Sequence, residues 1–240
     1  MTAAARLRIE SEYFNYLKRV TNEINRIVKR TYDPKRAAQI NDLVYELDKY
    51  AGTLGEWAER LAKRIIDRVN RYNLKDWMQI SATMGDAFRK SYHIGDPVFE
   101  RAMLLQTSEV TLIKSLPLES AVRAQKMSVE YVTKGWRHEE LAEQIMATSE
   151  VAKSRAACIA RTEVAKANSY LTQSRCESVG IKKYIWRTAE DANVRESHAV
   201  LDGSIFEFAN PPYIAGEGNH GPGDFPNCRC WAEPIIEGIE

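Results

Sequence analysis

The feature that most constrains this chain is a pair of apolar stripes at helical spacing, interrupted once by Asp33-Pro34. Tyr13, Leu17, Val20, Ile24 and Ile27 recur at steps of four and three, with Lys and Arg between them. That spacing predicts an amphipathic helix over residues 9–31. Proline lacks the N–H and restricts the residue before it, so the helix ends at this dipeptide. A second stripe runs from about Arg36 to Tyr72 through Ile40, Leu43, Leu47, Tyr50, Leu54, Trp57, Leu61 and Ile65. Gly52 and Gly55 mark a bend in it or the approach of a neighbour. Two long helices joined by Asp-Pro imply an antiparallel hairpin with the stripes packed on each other.

Helical character continues downstream. Trp77, Ile80, Met84, Phe88 and Tyr92 mark a third helix, ended near Gly95-Asp96-Pro97. Residues 98–114 are apolar and helical in parts, and Leu116-Pro117 is a natural boundary. Glu119 to Thr133 forms a helix closed by Gly135 in a left-handed cap. His138-Glu139-Glu140 opens a short helix, and Thr148 is the expected N-cap of a long one ended by Val179-Gly180. From Ile181 the character changes. Tyr184, Trp186 and Thr188 alternate as in a strand. Asp191 to Val200 reads as a short helix capped by Asp191, Ser204 to Phe208 as a second strand, 210–227 as a Gly/Pro-rich loop, and Arg229 to Ile235 as a third strand. The expected fold class is α+β: a mainly helical N-terminal region (1–115) for protein–protein contacts, then 116–240 ending in a small module with a short antiparallel sheet.

Composition narrows the function classes. A net charge of +1 argues against a dedicated nucleic-acid binder, yet residues 1–72 hold 15 Lys/Arg and 10 Asp/Glu and the remainder is −4. Without clustering, that basic excess reads first as a solvated surface. No apolar run approaches the roughly 18 residues that cross a bilayer. The N-terminal Met1-Thr2-Ala3-Ala4-Ala5-Arg6 lacks a signal-peptide core, so use without conventional secretion is expected. Four cysteines do not make a disulfide scaffold and fit a reducing compartment.

The chemistry-bearing residues concentrate in the last third. Cys228 and Cys230 offer two thiols close together, and His198 adds a third donor of suitable softness for zinc. No second Cys-x-x-Cys pair follows, so the site is not a zinc ribbon, and the fourth ligand falls to Asp191, His220 or water. The bland alternative is two half-buried thiols beside a packed imidazole. A Cys–His nucleophile would need a lowered thiol pKa and an oxyanion hole, neither legible here. Cys158 and Cys176, five helical turns apart, fall on one face and read as core. Arg161 with Asp191, or Glu163 with Arg195, would bridge the long helix to the module. Glu163 as a general acid or base is the catalytic alternative. His93, His138 and His220 show no partner pattern. Trp57, Trp77 and Trp136 are accounted for by packing.

Taken in order, these residues resemble a known family. Ala-Arg-Thr-Glu-Val-Ala (160–165), Val-Gly-Ile-Lys-Lys-Tyr-Ile-Trp (179–186), Asp-x-x-Val-Arg-x-x-His (191–198), Leu-Asp-Gly (201–203) and Pro-Asn-Cys-Arg-Cys (226–230) together resemble the phage Mu F-like minor head proteins, the phage head morphogenesis family. The likeness covers about residues 150–235 closely. It departs at Glu196, where the family often has proline. The resemblance implies a virion component in the phage head interior, present in host cytoplasm during assembly. Its implied partners are the portal protein and the major capsid or scaffold protein, with viral DNA as a further partner and no membrane. The implied role is head assembly and DNA packaging or ejection, without enzymatic activity. Members are sometimes fused to toxin domains; this chain ends about ten residues past Cys230, so none is expected here. Arg161, Glu163, Trp186, Asp191, Arg195 and Asp202 are carried over as the structural signature, and His198, Cys228 and Cys230 as the candidate zinc corner. The rival readings are a phage-delivered nuclease or transferase using Glu163, Arg195 and His198, and a host-targeted effector.

Overall fold

The computed structural model describes residues 1–33, 40–82 and 96–236. Among the described residues six helices come first: α1 (Ala3–Thr31), α2 (Ile40–Thr53), α3 (Gly55–Ser81), α4 (Asp96–Lys134), α5 (His138–Met146) and α6 (Thr148–Ser178). Then follow β1 (Lys183–Arg187), the one-turn helix α7 (Glu196–Ala199), β2 (Ile205–Glu207), β3 (Tyr213–Ile214), β4 (Gly218–Asn219) and β5 (Trp231–Pro234). The architecture is α+β, as the patterning predicts. The chain divides into two compact units. Unit 1 comprises Met1–Glu10, Arg64–Gln106 and Arg161–Glu240; unit 2 comprises Ser11–Lys63 and Thr107–Ala160.

Unit 2 is helical. Its stripes are buried where the periodicity places them: Tyr13, Leu17, Val20, Ile24 and Ile27 on α1, Leu43 and Leu47 on α2. Arg30 on α1 donates to Glu46 on α2 at 3.3 Å. The expected single helix over 36–72 is instead two, separated at Leu54, and the second runs on to Ser81. Gly52 and Gly55 therefore mark a break, and neither has a neighbour within 4 Å of a built Cβ. Around the break Tyr50 and Trp57 are half-buried, while Ala51, Leu54, Ala58, Leu61 and Ala62 are buried. The seam across the break thus mixes alanines with the leucines of the stripe.

Two other boundaries also shift. Trp77 and Ile80 belong to the end of α3 rather than to a separate third helix. The remaining positions of that expected helix, Met84, Phe88 and Tyr92, lie outside the described residues, as do Pro34, Arg36, His93 and Gly95. Pro117 does not divide 98–134; it lies inside the continuous α4. Ile113, Leu116 and Pro117 are all buried. The hydroxyls of Ser115 and Ser120 donate to the carbonyls of Leu112 and Leu116, at 2.9 and 2.8 Å. Burial on both sides of the proline outweighs the one lost N–H. Gly135 closes α4 as expected, at φ +64, with the Trp136 N–H on the Tyr131 carbonyl. α6 begins after Ala147, whose carbonyl accepts from Val151 N–H at 3.1 Å, so Thr148 sits inside the first turn instead of capping it.

Within unit 1, α6 ends at Gly180 (φ +82) and leads into the sheet. The three strands pair antiparallel in the order β2-β1-β5, with Tyr184 opposite Phe206 and Trp186 opposite Ala232. The expected loop 210–227 contains the two-stranded β3-β4 ladder. Tyr184, Trp186, Ile214, Cys228, Cys230 and Ala232 form the module's core, with Phe206, Phe208 and Phe225 packed on it. No helix among the described residues is long and apolar enough to cross a membrane.

Candidate functional site

The module is small, and polar side chains bound to backbone atoms hold much of it. One face of α6 grips the loop that carries the cysteines. Arg161 Nε donates to Asn227 Oδ1 at 2.9 Å, and Thr162 Oγ1 accepts from the Asn227 N–H at 3.0 Å. Asn227 has φ +58, a left-handed conformation that asparagine tolerates better than most residues. Further along α6, Ser169 Oγ donates to the Pro222 carbonyl at 2.6 Å and Tyr170 Oη to Asp224 Oδ1 at 2.9 Å. Residues eight or nine apart along a helix reach one loop this way, which explains why Arg-Thr and Pro-Asn-Cys belong to one motif set.

The other signature residues have similar work. Asp202 Oδ1 accepts from the Thr188 N–H at 2.7 Å, just past the end of β1, and Gly203 at φ +77 turns the chain so that its N–H meets the Trp186 carbonyl. Leu-Asp-Gly is therefore a turn locked onto β1. Asp191 does not cap a helix. It accepts from the Asn193 N–H at 2.9 Å, an Asx turn, and the helix begins later at Glu196 with Arg195 as N-cap. The expected bridge from Asp191 to Arg161 is replaced by one to Arg229 at 2.5 Å. Arg195 pairs with Glu217 at 3.5 Å and donates to the Pro226 carbonyl at 2.8 Å, with its guanidinium over the Phe225 ring. Glu163 is buried on α6. The Asn193 N–H, ahead of the Arg229 guanidinium, holds the Asp191 carboxyl below its ordinary range.

His198, Cys228 and Cys230 come together as expected, all three buried. His198 Nδ1 lies 3.4 Å from Cys228 Sγ and 3.5 Å from Cys230 Sγ. The Gly223 and Cys230 N–H groups both donate to Cys228 Sγ at 3.4 Å. Gly223 permits this approach: it sits at φ +89, and a Cβ there would meet the Ala165 carbonyl oxygen at 3.3 Å. Contact with the Cys230 thiol, opposed by burial and aided by His198, lowers the Cys228 thiol to about 4. Cys230 is driven up by the same contact and by burial. Burial opposes a charge on His198, but the bonds to Cys228 and Glu217 outweigh it and raise its pKa.

Behind the imidazole stands a group the sequence did not single out. His198 Nε2 meets Glu217 Oε2 at 2.7 Å, and His220 Nε2 meets the same oxygen at 2.9 Å. Burial raises the Glu217 pKa, yet these two bonds prevail and lower it. His220 is a buried member of this cluster rather than a plain loop histidine. Its Nδ1 is taken by the Gly221 carbonyl at 3.1 Å, and it groups with His198 and Glu217, not with the thiols. Asp191, the other expected fourth ligand, stands with Arg229 instead. The Glu-x-x-His spacing on a β3-β4 hairpin was the signal available in the sequence. The edge of Trp186 rests on His198 with ring centroids 5.5 Å apart. Arg6 Nη2 of α1 donates to the Cys228 carbonyl at 2.9 Å, a contact without sequence signal.

A cleft of about 990 Å³ opens in unit 1 beside this corner, lined among others by Arg6, Glu10, Arg161, Asp191 and Arg229. Within its lining Arg6 pairs with Glu10 at 2.6 Å and Arg229 with Asp191. Glu163, Arg195 and His198 are not among its lining residues.

Comparison with known proteins bears on what this arrangement is. Residues 124–233 match the profile of the family described as Phage Mu protein F like protein. Residues 124–233 are therefore similar to the Phage Mu F-like proteins. The matched segment contains every signature and ligand residue named above. An uncharacterized protein of Haemophilus influenzae is 30% identical over 250 residues, taking in 100% of this chain and 55% of that protein. The chain thus spans about half of that relative. The NAD(+)--arginine ADP-ribosyltransferase EFV of Enterococcus faecalis is 31% identical over 116 residues, 44% of this chain and 24% of the transferase. No solved structure matches the chain at a significant level.

Proposed function

We propose that this chain is a minor structural protein of a tailed-phage head, without enzymatic activity of its own. It would associate with the portal or the inner capsid and act in head assembly and in DNA packaging or ejection. The observation that carries this reading is the use made of the signature residues of the Mu F-like segment. Asp202 binds the backbone N–H of Thr188, Arg195 the carbonyl of Pro226, and Arg161 the side chain of Asn227. Side chains spent on backbone and on one another stabilise a fold; a catalytic set would converge on an open site. His198, the central member of the catalytic alternative, is buried with both ring nitrogens engaged. The helices of unit 2 would supply contacts to portal, capsid or scaffold. The +5 balance of residues 1–72 suits DNA or an acidic protein surface as a further partner.

The test is deletion of the gene from the phage or prophage that encodes the chain, with mass spectrometry of purified heads from the parent. The reading expects the protein in parental heads and a fall in DNA-filled heads on deletion, restored from a plasmid. Filled, infectious heads at parental yield without the protein would overturn it.

A phage-delivered transferase is the second reading, and the likeness to the Enterococcus faecalis enzyme favours it. That likeness covers 24% of the enzyme over a stretch about as long as the 124–233 family segment, which suits a shared Mu F-like part better than a shared active site. Incubation of the purified chain with labelled NAD and arginine-rich acceptor protein separates the two; label transfer would favour the transferase.

A further inference from the structure

We propose that His198, Cys228 and Cys230 bind one zinc ion, with Glu217 as the carboxylate that orients His198 toward it. The donor spacing carries the proposal. Zinc bonds of about 2.05 Å to nitrogen and about 2.3 Å to sulfur, at a tetrahedral angle, put the two donors about 3.6 Å apart. The observed Nδ1 to Sγ separations are 3.4 and 3.5 Å. The three donor atoms lie within 4.8 Å of one another, and all three residues are buried.

The surroundings fit a metal as well as the donors do. A carboxylate accepts only, so Glu217 accepts a hydrogen bond from the His198 Nε2–H and leaves Nδ1 as the nitrogen that faces the thiols. This carboxylate–histidine arrangement fixes the tautomer and ring orientation of a metal-bound imidazole. Arg195 and His220 hold Glu217 in turn. Two backbone N–H groups point at Cys228 Sγ, as suits a sulfur that carries charge. His220 and Asp191 are engaged elsewhere, so this chain supplies three ligands. Zinc, which takes thiolate and imidazole readily, is the divalent ion this donor set selects.

A metal here would tie α7, which carries His198, to the chain just before β5, two segments of the module separated by about thirty residues. This role is independent of any partner in a phage head, so a failed assembly experiment leaves it standing, and its own failure leaves the assembly reading standing.

The experiment uses the purified full chain. Zinc would be quantified by elemental analysis after dialysis, the ligand shell read by zinc K-edge X-ray absorption, and affinity measured by chelator competition. The proposal expects one zinc per chain with two sulfur ligands. Cys228→Ser should lose stoichiometric zinc, Cys158→Ser should keep it, and Glu217→Gln should keep the same shell with affinity reduced roughly 10- to 100-fold. Because Cys228→Ser could fail to fold, the sulfur count in the unaltered protein stands as an independent readout. A folded wild-type chain that takes up no zinc, or a shell without sulfur, would overturn the site. Unchanged affinity in Glu217→Gln would overturn the role of Glu217.

Discussion

Unit 2 and the C-terminal module of unit 1 are stabilised in different ways. Unit 2 is built from long helices whose aliphatic and aromatic faces are buried at regular intervals, Tyr13 to Ile27 on α1 and Leu43 and Leu47 on α2. The module has strands of two to five residues, too short to stand alone. It is pinned by individual bonds: Asn227 by Arg161 and Thr162, Thr188 by Asp202, the thiols by His198 and Gly223. Burial is tolerant of which apolar residue provides it, whereas a bond needs a particular atom in a particular place. The first region can drift in sequence and keep its fold; the second has little freedom.

That contrast can be broken or sharpened by substitution. The largest effect is expected for Trp186→Ala, which empties the centre of the module's core; denaturant titration should show a loss of about 3–5 kcal/mol. In unit 2, Leu47→Ala should cost about 2–5 kcal/mol but Leu47→Met less than about 1.5 kcal/mol, because volume is what that site requires. A Leu47→Met cost as large as that of Leu47→Ala would erase the distinction between the regions. Gly223→Ala should cost about 1–3 kcal/mol, since the left-handed backbone and the Ala165 carbonyl both oppose a Cβ. Asp202→Ala, which leaves the Thr188 N–H without its acceptor, should lower stability by about 1–2 kcal/mol in the same titration.

The smallest effect is expected at Asp191, on the surface. Its carboxyl titrates below the ordinary range, so whatever stability it adds is present above that range and is lost as pH falls through the lowered value. Melting of wild type and Asp191→Asn should therefore differ slightly at neutral pH and converge in acid. A gap that widens in acid would reverse the assigned sign.

How much was legible in the sequence follows the same division. Repeated apolar spacing names a helix because many residues vote for one period, so α1 and α6 were readable. Boundaries failed where a local signal met burial: Pro117 should have ended a helix, yet buried Ile113 and Leu116 carry α4 through it. The break at Leu54 is legible only as a bend at Gly52 and Gly55, because the stripe continues across it. In the module, ordered motifs brought His198, Cys228 and Cys230 together correctly. Glu217 carries no such signal, and His220, a candidate fourth ligand by sequence, instead meets Glu217 through a hairpin that folds back only in three dimensions. The ion pairs also differ from the expected bridges to α6: Asp191 pairs with Arg229 and Arg195 with Glu217.

The central claim is that the polar signature maintains a fold and performs no catalysis. Its most direct test is the yield of infectious particles from a phage carrying Glu163→Gln, a change that keeps shape but removes an acid or base. Melting of the purified variant establishes that it is folded. The account predicts filled heads and yield at parental levels. A variant that melts like wild type while infectious yield collapses would contradict it.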